Sequence, residues 1–257
     1  LPLIPGIDGV GRDPEGRLRY FVLPDTRFGS MAQRAVIDAR RSAVLPDDVD
    51  PAAIAAAMNP AMSSWIALRR RIDFPTGQNV LVLGATGNAG QMAVQIAKHL
   101  GAARVVAAGR NAERLAALMA VGADATVALD DEALGDAAAD ADVVLDYVWG
   151  AATERALPAV LTRRPDRGRP LTWIQIGSVA GLDITLPSAW LRAARVQLVG
   201  SGQGSVPTAE LVAELPALAA HITAGDYAID AVPTPLSDVE RTWTASSADR
   251  RRIVFLP

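Results

Sequence analysis

Residues 79–100, Asn-Val-Leu-Val-Leu-Gly-Ala-Thr-Gly-Asn-Ala-Gly-Gln-Met-Ala-Val-Gln-Ile-Ala-Lys-His-Leu, constrain the fold more than any other stretch of the chain. The apolar run 80–83 ends in glycines and passes into helical spacing, which predicts a strand, a tight turn and a helix. Glycines at such a turn let the main chain approach another group closely. The free N–H groups and positive dipole end of the next helix attract an anion, and in dinucleotide folds that anion is a pyrophosphate. Gly87 and Gly90 fill the last two glycine places of a G-x-G-x-x-G pattern, and Ala85 stands at the first. A glycine turn with no ligand would read the same locally, so the rest of the chain decides.

Downstream the alternation is regular. Strand-like runs occur at 80–83, 104–108, 125–129, 143–147, 171–176 and 196–199, with helical patterns between them, for example at 112–121 and 153–161. Such runs separated by crossovers of helical length predict an α/β fold: a Rossmann-type, doubly wound, six-stranded parallel sheet covered on both faces. Residues 1–50 carry Pro, Gly and Asp between short apolar runs at 18–23 and 35–37, and read as irregular and mostly β. From 51 to 71 the text suggests two helices with a break at Asn59-Pro60. After Ser201 come a helix at 208–224, a run at 228–232, a helical 237–245 and a last strand at 252–256, expected to rejoin the N-terminal segment. The organisation is therefore 1–61, then 62–203, then 204–257. Leu1 falls within what reads as a strand and turn, so the native chain is expected to begin upstream.

Composition narrows the chemistry. With 50% hydrophobic residues and 257 residues in all, the chain can bury one or two substantial cores. A formal net charge of −3 argues against nucleic acid or an acidic membrane surface as partner, and Arg69-Arg70-Arg71 reads as a solvated helix face. No apolar stretch approaches the ~20 residues that span a bilayer, so a soluble, cytoplasmic protein is expected. Zero cysteines remove disulfides, thiol nucleophiles and every cysteine-containing zinc site. Only His99 and His221 are present, which also excludes a histidine-rich metal site.

Several local motifs together resemble the medium-chain dehydrogenase/reductase superfamily, and in particular its zinc-free quinone oxidoreductase branch. They are Ile4-Pro5-Gly6-Ile7-Asp8-Gly9-Val10-Gly11, similar to the family's P-G-H-E-x-x-G turn, and Val82-Leu83-Gly84-Ala85-Thr86-Gly87-Asn88-Ala89-Gly90, similar to its coenzyme turn. Leu145-Asp146-Tyr147-Val148, Ile176-Gly177-Ser178, Leu198-Val199-Gly200-Ser201 and Arg252-Ile253-Val254-Phe255 follow in the family's order. The resemblance implies a coenzyme domain beside a mostly β, GroES-like catalytic domain that here lacks its N-terminal part. It also implies a homodimer, with the strand at 196–199 as candidate edge. In the zinc enzymes the histidine of the first motif and a later cysteine ligate the metal; Ile7 and Pro60 occupy those positions here, and neither side chain has an N, O or S donor.

The strand at 104–108 should end at the coenzyme ribose. An acidic residue there selects NAD, whereas a neutral residue beside arginine accommodates a 2′-phosphate. This chain has Gly109-Arg110-Asn111 with Arg114 one turn on, so NADPH is the expected coenzyme. Its predicted contacts are Ala85, Thr86, Gly87, Asn88, Ala89, Gly90, Gly109, Arg110, Asn111 and Arg114, joined through the resemblance by Tyr147, Val148, Ile176, Gly177, Ser178, Ser201 and Gly202. With no metal, the acceptor must already be electrophilic, and the resemblance implies quinones or α,β-unsaturated carbonyls. Ser64, at the family's hydroxyl position, and Asn59 are the candidate catalytic donors, with Ser63 beside them. Tyr147 is expected to line the adenosine pocket. A short-chain reductase would need a Tyr-x-x-x-Lys pair, which the single lysine, Lys98, does not form. The alternative from another class is an NADPH-binding sensor or structural protein without turnover.

Overall fold

In the computed structural model the described residues are 3–24, 27–130, 132–245 and 251–257; the predicted strand and turn around Leu1 falls partly outside them. The chain divides into two compact units, one formed by Leu1–Met62 with Val206–Pro257 and the other by Ser63–Ser205. In the first, β1 (Asp8–Arg12), β2 (Leu18–Val22) and β3 (Ser42–Val44) form an antiparallel sheet in the order β1-β2-β3. The aromatic and β-branched residues of β2 drive its burial, with Tyr20, Phe21 and Val22 all in the core. Residues 35–37 form no strand, and Val36 is 94% exposed.

The predicted break at Asn59-Pro60 is not there. One helix, α1 (Pro51–Ile66), runs through Pro60 and is followed by a π-helical stretch at Ala67–Arg71. A proline inside a helix removes one hydrogen bond and crowds the carbonyl four residues back, at a cost of about 3 kcal/mol. Here Ala56, Ala57, Met58 and Ala61 are each 0% exposed, and burying that face offsets the cost. Tertiary burial has overridden the local signal.

The second unit is built on β4 (Asn79–Leu83), α2 (Asn88–His99), β5 (Arg104–Gly109), α3 (Ala112–Leu118), β6 (Ala125–Ala128), α4 (Leu134–Ala137), β7 (Val143–Asp146), α5 (Gly150–Arg163), β8 (Leu171–Gln175), α6 (Ser188–Ala193) and β9 (Val196–Gly200). Its six strands are parallel, in the order β6-β5-β4-β7-β8-β9. Val80, Leu81, Val82 and Leu83 are 1% exposed or less because helices cover both faces. β4 and β7 are neighbours although α2, β5, α3, β6 and α4 separate them along the chain. The crevice between their C-terminal ends is the topological switch point, where ligands of open α/β sheets bind. β9 is an edge strand.

The chain then returns to the first unit. Leu211, Leu215 and Leu218 bury one face of α7 (Thr208–Thr223), which packs on β3, while Arg41 Nη1 donates to Thr208 Oγ1 at 3.4 Å. The predicted strand at 228–232 lies three residues later as β10 (Ala231–Pro235); α8 (Val239–Ala245) and β11 (Arg252–Leu256) follow, and β10 pairs with β11 in parallel. Among the described residues no helix is long and apolar enough to cross a membrane.

Candidate functional site

The turn after β4 contains glycines with different duties. Gly84 turns the chain at φ 84, and the N–H groups of Gly84 and Ala85 both donate to Ala108 O at 2.9 Å. At Gly90 a Cβ would press on the Gly84 carbonyl and lie 2.6 Å from Ala85 Cα, so glycine there permits close packing of α2 on its strand. Gly87, the N-cap of α2, differs from both. Its φ is −84, which any residue adopts, and a Cβ would meet nothing nearer than Gly84 O at 3.5 Å. No side chain caps α2, and its first helical bond runs from Gln91 N to Gly87 O at 2.8 Å. The N–H groups of Asn88, Ala89 and Gly90 therefore precede the ladder. The fold itself does not need glycine at 87. A phosphate drawn close to these N–H groups does, and by this criterion the cradle fits a dinucleotide.

At the end of β5, a Cβ on Gly109 would lie 2.5 Å from Thr86 Cγ2, so Gly109 and Thr86 abut. Arg114 Nη1 donates to Thr86 O at 3.4 Å, and Asn111 caps α3 by accepting Arg114 N–H at 2.9 Å. The Asn111 side chain is thus committed to the helix. Arg110 is exposed beside it, and Glu113 stands in the first turn of α3.

The opposite wall is organised by Asp146, which is 0% exposed. Its carboxylate accepts from Val148 N at 2.9 Å, Trp149 N at 3.0 Å, Thr153 Oγ1 at 2.6 Å and Trp173 Nε1 at 2.9 Å. Its carbonyl accepts from Ile176 N at 2.8 Å and Gly177 N at 3.1 Å, and a Cβ on Gly177 would lie 2.7 Å from Tyr147 O. Tyr147, Val148, Ile176 and Gly177 therefore form one wall. Ser178 O accepts from Gly181 N at 3.3 Å, Ser201 N donates to Gln175 O at 2.8 Å, and Gly202 N donates to Ser205 Oγ at 2.8 Å. At the foot of this wall Arg71 Nε donates to Gly200 O at 2.7 Å, and Arg69 lies 4.9 Å over the Trp65 ring. Only part of the arginine run is a solvated face.

The Tyr147 hydroxyl lies 3.0 Å from Ser63 Oγ. Burial pushes the Tyr147 phenol up to about 12, against the opposing pull of its hydrogen bonds with Ser63 and Ser64, so it stays protonated at neutral pH. Its hydroxyl is thus turned to the serines of α1. Ser64 is 0% exposed and Ser63 half-buried, so of the two serines Ser63 is the more exposed. Asn59 is half-buried in the body of α1, one turn before Ser63, rather than in a break. Ile7 is 52% exposed and Pro60 buried, and neither offers a donor atom to zinc. Three features carried no sequence signal: the four bonds onto Asp146, the Tyr147–Ser63 pair, and the backbone of Trp149, at φ 53.

A parallel sheet in this strand order, with a glycine turn at its switch point, defines a dinucleotide-binding unit. The family model described as zinc-binding dehydrogenase matches residues 89–215. The chain is 30% identical to the probable NADPH-dependent quinone reductase tdiC of Emericella nidulans, across 100% of this chain and 84% of that protein. It is 31% identical to the NADPH-dependent alkenal/one oxidoreductase of Arabidopsis thaliana chloroplasts, over 48% of this chain and 31% of that one. Among solved structures, the quinone oxidoreductase of Thermus thermophilus, also determined with NADPH, superposes with a TM-score of 0.78 at 26% identity, covering 97% of this chain and 79% of that one. The Escherichia coli quinone oxidoreductase complexed with NADPH gives 0.83 at 21% identity, covering 100% and 83%. The chain belongs to the medium-chain dehydrogenase/reductase superfamily, in its quinone oxidoreductase-like branch.

Proposed function

We propose that this protein is an NADPH-dependent oxidoreductase that reduces a quinone or an α,β-unsaturated carbonyl without a metal ion. Gly87 carries the reading: a glycine that its own fold does not require, beside N–H groups that lie ahead of a helical ladder. When bound, the reduced coenzyme supplies a hydride to an acceptor that is already electrophilic. The residues do the rest. Ala85, Gly87 and the main-chain N–H groups of Asn88, Ala89 and Gly90 take the pyrophosphate. Arg110 and Arg114, beside Thr86, Gly109 and Asn111, take the 2′-phosphate end. Tyr147, Val148, Ile176, Gly177, Ser178, Ser201 and Gly202 wall the remainder.

On α1, Ser63 supplies the polar contact to the acceptor oxygen, with Tyr147 fixing its Oγ and Ser64 acting behind both as a positioning residue. Asn59 offers an amide on the same helix face one turn earlier. Ile7 and Pro60 leave the family's zinc positions without donors, so polarisation of the acceptor falls to hydrogen bonds. Residues 62–203 form the coenzyme domain, and 1–61 with 204–257 the catalytic one. We assign a homodimer, with β9 as its edge, and a cytoplasmic location. The homologous names support the coenzyme and the substrate class. The test follows NADPH absorbance with a panel of quinones and enones. Consumption with at least one acceptor supports the reading, and binding without consumption across the panel favours a sensor.

A further inference from the structure

Trp149 follows β7 at the switch point with φ 53 and ψ −161, and among the described residues it is the only one other than glycine with a positive φ. This conformation borders a region occupied almost only by glycine, so an L side chain is held there against its own sterics. Its surroundings fix it. Asp146 accepts the N–H groups of both Val148 and Trp149, and the Thr153 hydroxyl and Trp173 indole anchor the same carboxylate. The next residue, Gly150, lies backbone to backbone on the loop after β8: a Cβ there would be 2.6 Å from Ala180 O and 2.7 Å from Gly181 Cα. Ala180 N closes the junction on Val148 O at 2.8 Å.

Core packing does not account for a tryptophan in this strained place. Trp65 and Trp173 are 2% and 0% exposed, whereas Trp149 is only half-buried. Topology gives a better reason. The pyrophosphate belongs over the turn after β4 and the adenosine ribose at the end of β5. The loop after β7, on the other side of β4, faces the nicotinamide half. We propose that Trp149 is a coenzyme-binding residue whose indole packs on the nicotinamide half of the coenzyme, and that Asp146 is the positioning residue that pins it. An indole offers a large flat face at little conformational cost. The inference rests on the dinucleotide reading of the β4 turn.

The test compares wild type with Trp149→Gly, Trp149→Ala and Trp149→Phe, by melting without coenzyme and by calorimetric titration with NADPH. Gly and Ala both remove the ring, but only glycine relaxes at this φ, so Trp149→Gly should melt several degrees above Trp149→Ala. Both should weaken NADPH about tenfold or more, and phenylalanine should recover part of the loss. Trp149→Gly binding NADPH as tightly as wild type would overturn the proposal. So would Trp149→Ala melting at or above Trp149→Gly, since the strain would then be absent. Wild type that fails to bind NADPH would instead sink the coenzyme reading, and this one with it.

Discussion

Replacing Gly87 and Gly90 separately by alanine divides architecture from ligand binding within one turn. At Gly87 two small terms oppose each other. Alanine restricts the unfolded chain, worth about 0.4–1 kcal/mol, and is a poorer N-cap than glycine by a similar amount. Because φ is −84 and the nearest atom to the new Cβ is 3.5 Å away, no clash adds to these, and the melting temperature should move by no more than about 2–4 °C. If the pyrophosphate lies against this turn, the same methyl would crowd it away from the Asn88, Ala89 and Gly90 N–H groups. NADPH should therefore bind at least about tenfold more weakly, a change of ~1.4 kcal/mol. At Gly90 the Cβ would lie 2.6 Å from Ala85 Cα, between backbone atoms that have no rotamer to change. Overpacking of this kind costs about 1–3 kcal/mol, so Gly90→Ala should melt several degrees lower. Calorimetric titration and thermal melting read the two variants. If Gly87→Ala binds NADPH as wild type does, the cradle argument is refuted.

Other expectations follow from the same geometry. Arg110→Ala should weaken NADPH about 10- to 100-fold, the worth of a charge-assisted pair to phosphate, and leave NADH within about twofold; equal losses for the two coenzymes would contradict the role given to Arg110. Tyr147→Phe should cost about 1–3 kcal/mol at neutral pH, the worth of its hydrogen bonds with Ser63 and Ser64. The Tyr147 phenol lies above its usual 10.0, so the stability it contributes is complete below pH 10 and lost as the pH rises through about 12. Wild type should thus lose stability more steeply than Tyr147→Phe between those limits, and parallel pH-melting curves would show that Tyr147 is not held as described. Dialysis against a strong chelator should leave NADPH-dependent turnover unchanged; activity lost and then restored by Zn²⁺ would overturn the metal-free reading.

The strand–turn–helix at 79–100 and the later apolar runs made the parallel sheet legible, because strands buried on both faces read as continuous apolar stretches and their spacing demands crossovers. Pro60 misled for the opposite reason: a local rule about prolines cannot register how much of α1 is buried. The coenzyme turn was visible in its glycines, but their division of labour was not, since only backbone contacts distinguish Gly87 from Gly90. Tyr147 and Ser63 lie 84 residues apart, so their hydroxyl pair had no sequence signal. The Asp146 carboxylate looked like a strand end, and Trp149 before Gly150 gave no sign of a positive φ.

Amide hydrogen exchange with and without NADPH reads whether the main-chain N–H groups at the start of α2 hold the coenzyme. Added NADPH should slow exchange at Asn88, Ala89 and Gly90, and NADH should do so less. Unchanged exchange at these amides in a protein saturated with NADPH would contradict it.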